Sequence, residues 1–459
     1  MRLSKAYLRS FVADKRFYSR ALSVMIPVVI QQLINTLFNV VDNVMVGSLD
    51  GISMSAVTVA NKPFLIYSGV FFGVTGAGGI LISQFYGAKD HQQCQRLFSL
   101  EFLIGLIASL IFCGILYFFP EQIMTLYVKD TQTIQLGIAY LKVICFSYIP
   151  VALSTTCMFS MRALGKNKMP MLASLVTMGL NAFFNYGLIF GNFGLPAMGV
   201  TGAALGTLLA RLCELGFYLF VLARRKAFFS LDLLGFIHLK ASTLKSFWKR
   251  ALPLTGNELL WTIGLNLFFW TYARLDEPAL PAMTIADQVM QVGIVVSTGM
   301  ASAVSVMIGT ELGADRFKQA WQNTKHLLSL VCGIALVCSA VASLGAYTLP
   351  FIFNVGEDLR WMATKLTLVY ALFYLPNALY AFAFYCLRAG GDTRNATLLD
   401  SIYMWLLPVP VALLMGWLGV GRINLIVALF VVQLLMNSKF LLALWVVKKG
   451  KWLRNITTE

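Results

Sequence analysis

The sequence predicts an all-α integral membrane protein of twelve transmembrane helices in two six-helix bundles, related by a parallel internal repeat whose axis lies along the membrane normal. Three observations carry this. The 459 residues are 58% hydrophobic and only 12% charged, with a mean hydropathy of +0.75, which excludes an ordinary soluble protein. About twelve apolar stretches are long enough to span a bilayer, which takes roughly 20 residues each. Backbone-setting residues recur at one fixed offset of 226 positions.

The repeat needs no gap across about 140 residues. Pro27 maps onto Pro253, Ala60 onto Ala286, Gly73 onto Gly299, Ala77 onto Ala303, and Gly87-Ala88 onto Gly313-Ala314. Tyr148-x-Pro150 maps onto Tyr374-x-Pro376, and Arg162-Ala163-x-Gly165 onto Arg388-Ala389-x-Gly391. Prolines and glycines fix backbone geometry, the part of a duplicated fold that drifts least. Two equivalent halves in a membrane chain are a common ground plan of secondary transporters, with the substrate site between them.

The spans are expected at 21–47, 54–86, 96–119, 134–162, 169–190, 198–222, 247–273, 280–311, 321–345, 360–387, 396–418 and 423–447. Several exceed a straight crossing, so tilt or bending is expected. Pro150 and Pro376 are the expected kinks. The glycines at 73–79 permit close helix contact or bending. Basic residues set the orientation. Even-numbered connections carry Lys89 and Arg96, Lys166 and Lys168, the Arg224–Arg250 cluster, Arg316 and Lys318, and Arg388 and Arg394. Odd-numbered ones carry few, so both termini are expected in the cytoplasm, with no N-terminal signal peptide. Six helices per half inserts both halves the same way up. The expected domains are lobes 1–222 and 247–459, joined by a cytoplasmic linker at 223–246.

The net charge of +16 sits in short runs between apolar segments, which is a topology signal and not a nucleic-acid surface. Eight cysteines without C-x-x-C pairing read as small core residues. No H-E-x-x-H or G-x-S-x-G motif occurs, and the glycine run at 73–79 has no phosphate-reaching lysine, so an enzyme is not expected.

Ionisable groups at membrane depth invite a functional reading. Asp42 lies late in the first helix, and its repeat mate is Phe268, so the shared fold does not require it. Asn181 and Asn185 share one face of the fifth helix, where they offer carbonyl oxygens to a cation or simply bond neighbouring helices. Glu258 sits about eight residues into the seventh helix and maps onto Gln32. It attracts a cation into the second half or is held by Asn257. Arg211 and Glu214 are expected to pair, and Asp287 and Asp400 face a cavity or a partner amide. Abundant Phe, Tyr and Met suits an adaptable apolar cavity.

With V-D-N-V-M-V-G at 41–47, N-x-x-x-N-Y-G-L-I-F-G at 181–191, G-V-T-G-A-A-L-G-T at 199–207 and L-R-A-G-G-D-T at 387–393, the chain resembles the multidrug and toxic compound extrusion (MATE) family over essentially its whole length. The resemblance implies twelve helices in two lobes and antiport of organic cations or other amphiphiles against Na⁺ or H⁺. In archaeal and DinF-like members a first-helix Asp, two fifth-helix polar residues and a sixth-helix Thr form an N-lobe cation site. By motif these fall on Asp42, Asn181, Asn185 and Thr207. The second fifth-helix position is often Asp in those relatives, so Asn185 removes one negative charge. In NorM-like members a seventh-helix Glu and a tenth-helix Asp form a C-lobe site. These positions carry Glu258 and Asn377 here.

The expectation is an exporter of small amphiphilic or cationic compounds, coupled to H⁺ or Na⁺ by alternating access in the bacterial cytoplasmic (inner) membrane. Its expected partners are a small-molecule substrate and the lipid bilayer, without nucleic acid or cofactor, in a monomer. The alternative is a lipid-linked or polysaccharide-precursor flippase of the same superfamily, which would display more cationic groups toward phosphates. An integral-membrane enzyme or receptor lacks a catalytic constellation.

Overall fold

The computed structural model describes residues 12–224, 234–352 and 356–457, apart from the side chains of Glu277, Val289 and Val292. Arg2, Arg225 and Lys226 of the basic clusters, and residues 225–233 of the expected linker, lie outside the described residues.

Twelve helical spans run in order: α1 Lys15–Gly47, α2 Gly51–Gly87, α3 His91–Phe118, α4 Thr131–Ala163, α5 Lys168–Phe190, α6 Gly199–Arg224, α7 Ala241–Leu275, α8 Leu280–Gly313, α9 Phe317–Phe351, α10 Glu357–Ala389, α11 Thr393–Leu418 and α12 Leu425–Lys448. Among the described residues, eleven are apolar and long enough to cross a membrane. The exception is α7, a 35-residue helix whose Asn257, Glu258 and Asn266 dilute its apolar content. The protein is an all-α, multi-pass membrane chain.

Breaks within the spans have local causes. Ahead of Pro150, α4 tightens into a 3₁₀ turn at Cys145–Ser147, because a proline removes an amide donor and crowds the carbonyl four residues back. Pro376 is accommodated inside a continuous α10. A π-turn at Leu398–Ile402 interrupts α11, and Pro408 begins its last helical segment. Such turns widen the helix locally and re-aim the side chains they carry. Here those side chains include Asp400 and Ser401.

The chain parts into two compact units, Pro27–Ala251 and Met1–Ile26 with Leu252–Glu459. In the N-terminal unit α4 packs along α2, α3 and α6, and α5 packs along α6. In the C-terminal unit α10 packs along α8, α9 and α12, and α11 along α12. These neighbour sets correspond helix for helix.

The repeat reaches single backbone bonds. Asp90 N–H donates to Phe85 O and Arg316 N–H to Glu311 O, both at 2.9 Å. Lys166 N–H donates to Met161 O and Asp392 N–H to Leu387 O, again both at 2.9 Å. Lys89 and Asp315, 226 positions apart, adopt φ of 60° and 58°. Non-glycine residues rarely enter that region, so the coincidence marks one duplicated loop. Gly165 and Gly391 likewise match at 73° and 72°, where glycine avoids the steric cost.

Outside the spans, Asp50 and Asp130 cap helices. Ser53 N–H donates to Asp50 at 2.6 Å and Thr133 N–H to Asp130 at 2.8 Å, and the hydroxyls of the same two residues donate as well. For Asp50 the Ser53 backbone bond, and for Asp130 the Thr133 hydroxyl bond, is the main reason the carboxyl titrates below its ordinary range. A depressed folded pKa contributes stability above the unfolded pKa, and that stability is lost as pH falls through the folded value. Asp130→Ala is therefore expected to lower Tm in detergent at neutral pH. The difference from wild type should shrink below about pH 4, and a pH-independent difference would rule out the cap as its source.

Candidate functional site

The site in the N-terminal unit is built by three helices whose faces the sequence segregates. Along α1, the exposed residues Ile26, Ile30, Leu33, Leu37, Val40 and Val44 form an apolar stripe. On its other side Gln31, Ile34 and Phe38 are buried at three- to four-residue spacing, and Asp42 continues that inward row. On α5, Ser174, Thr177, Asn181, Asn185 and Leu188 make the buried face, and Asn185 is 0% exposed. On α6, Gly202, Gly206 and Ala210 are buried toward α5. A Cβ at Gly206 would strike Asn185 Oδ1, and one at Gly202 would strike the backbone carbonyl of Leu188. This G-x-x-x-G spacing lets two helices touch at backbone distance.

The four residues implied by the motif comparison come together. Asn185 Nδ2 donates to Asp42 Oδ1 at 2.6 Å and to Asn181 Oδ1 at 3.3 Å. Asn181 Nδ2 donates to Thr207 Oγ1 at 3.3 Å. Asn185 Oδ1 is buried without a hydrogen-bond partner. One carboxylate and three neutral oxygens thus gather inside a helix bundle. Arg211 stands over the Phe38 ring at 4.7 Å, one turn from Asp42, and pairs with Glu214 at 2.8 Å.

The C-terminal unit carries a denser charged cluster. Glu258 lies 3.6 Å from Arg388 of α10, and Asn377 is half-buried on that same helix. Asp400, aimed by the π-turn, accepts from Asn257 Nδ2 at 2.9 Å, Tyr380 Oη at 2.7 Å and Lys439 Nζ at 3.1 Å. Ser401 Oγ donates to Asn257 Oδ1 at 2.8 Å. Asn257–Asp400 is the repeat mate of a bond in the other unit, Gln31 Nε2 to Ser174 Oγ at 3.0 Å. The scaffold and the arginine at 162 and 388 are shared, whereas Glu258, Asp400 and Lys439 have uncharged mates in the other half. Asp287 accepts from Tyr370 Oη at 2.7 Å.

Sequence reading missed Lys439, although a lysine nine residues inside the end of an apolar span is itself a signal. It also missed Glu101 of α3, which is fully buried with neither carboxylate oxygen hydrogen-bonded. Gly78 makes room for it, since a Cβ there would land on that carboxylate. Its signal was an acid whose repeat mate is Leu327. Gly78→Ala is expected to lower Tm by an overpacking cost of about 1–3 kcal/mol. Gly79→Ala, which meets nothing within 4 Å, serves as the neutral control, and equal behaviour of the two would refute this packing.

The MatE family model matches residues 27–187 and 253–414. The two matches begin at the paired prolines. The transporter YisQ of Bacillus subtilis is 22% identical over 95% of this chain and 96% of its own length. A probable multidrug resistance protein NorM of Streptococcus pneumoniae is 25% identical over 86% and 87%. Among solved structures, a multidrug resistance MATE family transporter in an outward-facing conformation superposes with a TM-score of 0.83 at 18% identity, covering 96% of this chain and 98% of the other. A MOP superfamily transporter from Pyrococcus furiosus, described as having a binding pocket of reversed polarity, superposes at 0.82 with 17% identity, covering 96% and 97%. With the duplicated six-helix plan and a family match in each half, the chain belongs to the MatE family and is a MATE transporter, not an enzyme.

Proposed function

We propose that the protein is a secondary active antiporter that exports small amphiphilic or cationic organic compounds in exchange for H⁺ or Na⁺. It works as a monomer in the bacterial inner membrane with both termini cytoplasmic. Its functional lobes are 1–222 and 247–459, joined by 223–246. The coupling ion binds at Asp42, Asn181, Asn185 and Thr207. The observation that carries this reading is the run of hydrogen bonds from Asp42 through Asn185 and Asn181 to Thr207 inside the bundle. A carboxylate at that depth has to be balanced by partners or by a proton, and its occupancy is what two access states can set differently. With one carboxylate and no second acid at position 185, H⁺ is favoured over Na⁺.

Export is favoured over lipid-precursor flipping by the pairing of three cations within the spans, while Arg162 donates to the neutral Gln31 Oε1 at 2.7 Å. Arg388, Lys439 and Arg211 are each paired with an acid. A phosphate-binding cavity calls for cations left available to phosphate.

The test is ethidium transport in proteoliposomes under imposed gradients. A proton gradient is expected to drive transport without Na⁺. Transport driven by neither gradient, or movement of a lipid-linked sugar in place of ethidium, would overturn the reading. Asn185→Asp is expected to add Na⁺ dependence, lowering the half-saturating Na⁺ by roughly tenfold or more, since ligand charge count tunes oxygen-donor sites over decades. An unchanged Na⁺ response would remove position 185 from the site.

A further inference from the structure

The charged cluster of the C-terminal unit has a chemistry that the N-terminal site lacks. The Lys439 ammonium is held by the Asp400 carboxylate at 3.1 Å, lies 3.9 Å from the centre of the Tyr380 ring and 5.7 Å from that of Trp261. Lys439 is 3% exposed and Asp400 7%. A carboxylate beside two aromatic faces is the combination that recognises organic ammonium ions. Here the box holds the protein's own ammonium. None of it is imposed by the repeat, because the mates of Tyr380, Asp400 and Lys439 are Ser154, Ser174 and Cys213.

We propose that Asp400, Lys439, Tyr380 and Trp261 form a second exchange site, at which an organic ammonium cation and the proton carried by Lys439 replace one another. The proposal rests on the export reading and adds to it a substrate-binding group and a second route of proton coupling. An arriving organic cation takes the place of the lysine head beside Asp400 and against the rings. Two cations on one buried carboxylate would leave an uncompensated buried charge, which is strongly unfavourable. Lys439 therefore gives up a proton. One N–H bond breaks, its electron pair stays on nitrogen, and the proton leaves to water. When the organic cation departs, the amine takes a proton back and re-forms the pair. One cation in and one proton out keeps the charge of the site constant.

The groups facing the pair are compatible with this. Asp400 comes from α11, Tyr380, Tyr385 and Arg388 from α10, and Glu258 and Trp261 from α7. Glu258 and Arg388 offset each other, so the Asp400–Lys439 charges balance on their own. The Glu258 side chain keeps 28% exposure and Trp261 is half-buried, which gives the cluster an open side. A lysine can surrender its proton in such a setting, whereas an arginine cannot. That difference supplies the test.

Full-length protein is titrated with benzyltrimethylammonium, a permanent cation, by calorimetry in two buffers of different protonation enthalpy. The heat difference between buffers counts the protons exchanged. Working in Asp42→Asn protein silences the N-terminal carboxylate. The expected result is one proton released per cation bound. Adding Lys439→Arg should abolish the release and weaken binding at least tenfold, and Lys439→Gln should bind the cation with no release. Proton release unchanged in both Lys439 variants, or cation binding without release in the Asp42→Asn protein, would overturn this site while leaving the export reading standing. Failure of wild-type protein to bind the cation at all would overturn both.

Discussion

Asp42→Asn is expected to abolish ion-coupled efflux while leaving the protein inserted and folded. The substitution keeps the shape of the side chain and an oxygen able to accept from Asn185 Nδ2, now 2.6 Å from Asp42 Oδ1. It removes the only negative charge in the run that continues through Asn181 to Thr207. Coupling requires a group whose ion occupancy differs between inward- and outward-facing states, and couplings between sites typically amount to about 1–3 kcal/mol, or roughly 5- to 150-fold. With no titratable or cation-binding charge left there, that free energy vanishes. Ethidium efflux in proteoliposomes should fall to the level of empty vesicles, with an unchanged elution profile and Tm. Wild-type efflux from this variant would remove Asp42 from the mechanism and move the coupling role to Glu258. Efflux that collapses without Na⁺ but persists without a proton gradient would overturn the choice of ion and spare the site.

Gly202→Ala is expected to damage both the fold and the site through a single methyl group. The added carbon would meet the Leu188 carbonyl and, at 3.0 Å, the Ile189 nitrogen. Both belong to the α5 backbone and cannot turn aside as a side chain would. Overpacking of this kind costs about 1–3 kcal/mol, and contact with main chain places it toward the upper end. The separation it forces between α5 and α6 would also pull Asn185 and Asn181 away from Thr207, so loss of efflux should accompany loss of stability. Gly216→Ala on the same helix meets nothing within 4 Å. There the better helix propensity of alanine should leave Tm unchanged or slightly raised, by at most about 1 kcal/mol. If the two variants behave alike, the close approach of α5 and α6 at Gly202 is not what holds the site.

Much of the architecture is legible in the sequence. Pro27 and Pro253 mark the start of both family matches, and the 226-residue register extends to matched loop bonds and matched positive φ angles. The inward row of Gln31, Ile34, Phe38 and Asp42 keeps helical spacing, but both sides of α1 are largely apolar, so packing decides which side turns inward. The second-lobe candidates were less legible. Glu258 reads as an intramembrane acid, but its partner Arg388 falls just past the expected span 360–387 and reads as a loop cation of the L-R-A-G-G-D-T segment. Helix length decides whether a residue near a span's end faces water or its neighbours, and boundaries are the least certain part of sequence reading.

The sequence by itself determined the membrane class, the duplicated plan, the succession of spans and the residue types able to hold an ion. Those follow from hydropathy, from period, and from backbone-fixing prolines and glycines, all of which act locally along the chain. Only the tertiary structure decided the partners. Asn257 and Asp400 stand 143 positions apart, and Lys439 reaches the same carboxylate from another helix. In a bilayer the cost of a buried charge is relieved by whichever side chain the packing brings near. That choice depends on helix rotation, on the π-turn at Leu398–Ile402 and on close glycine contacts. None of these is set by the spacing of residues along one helix.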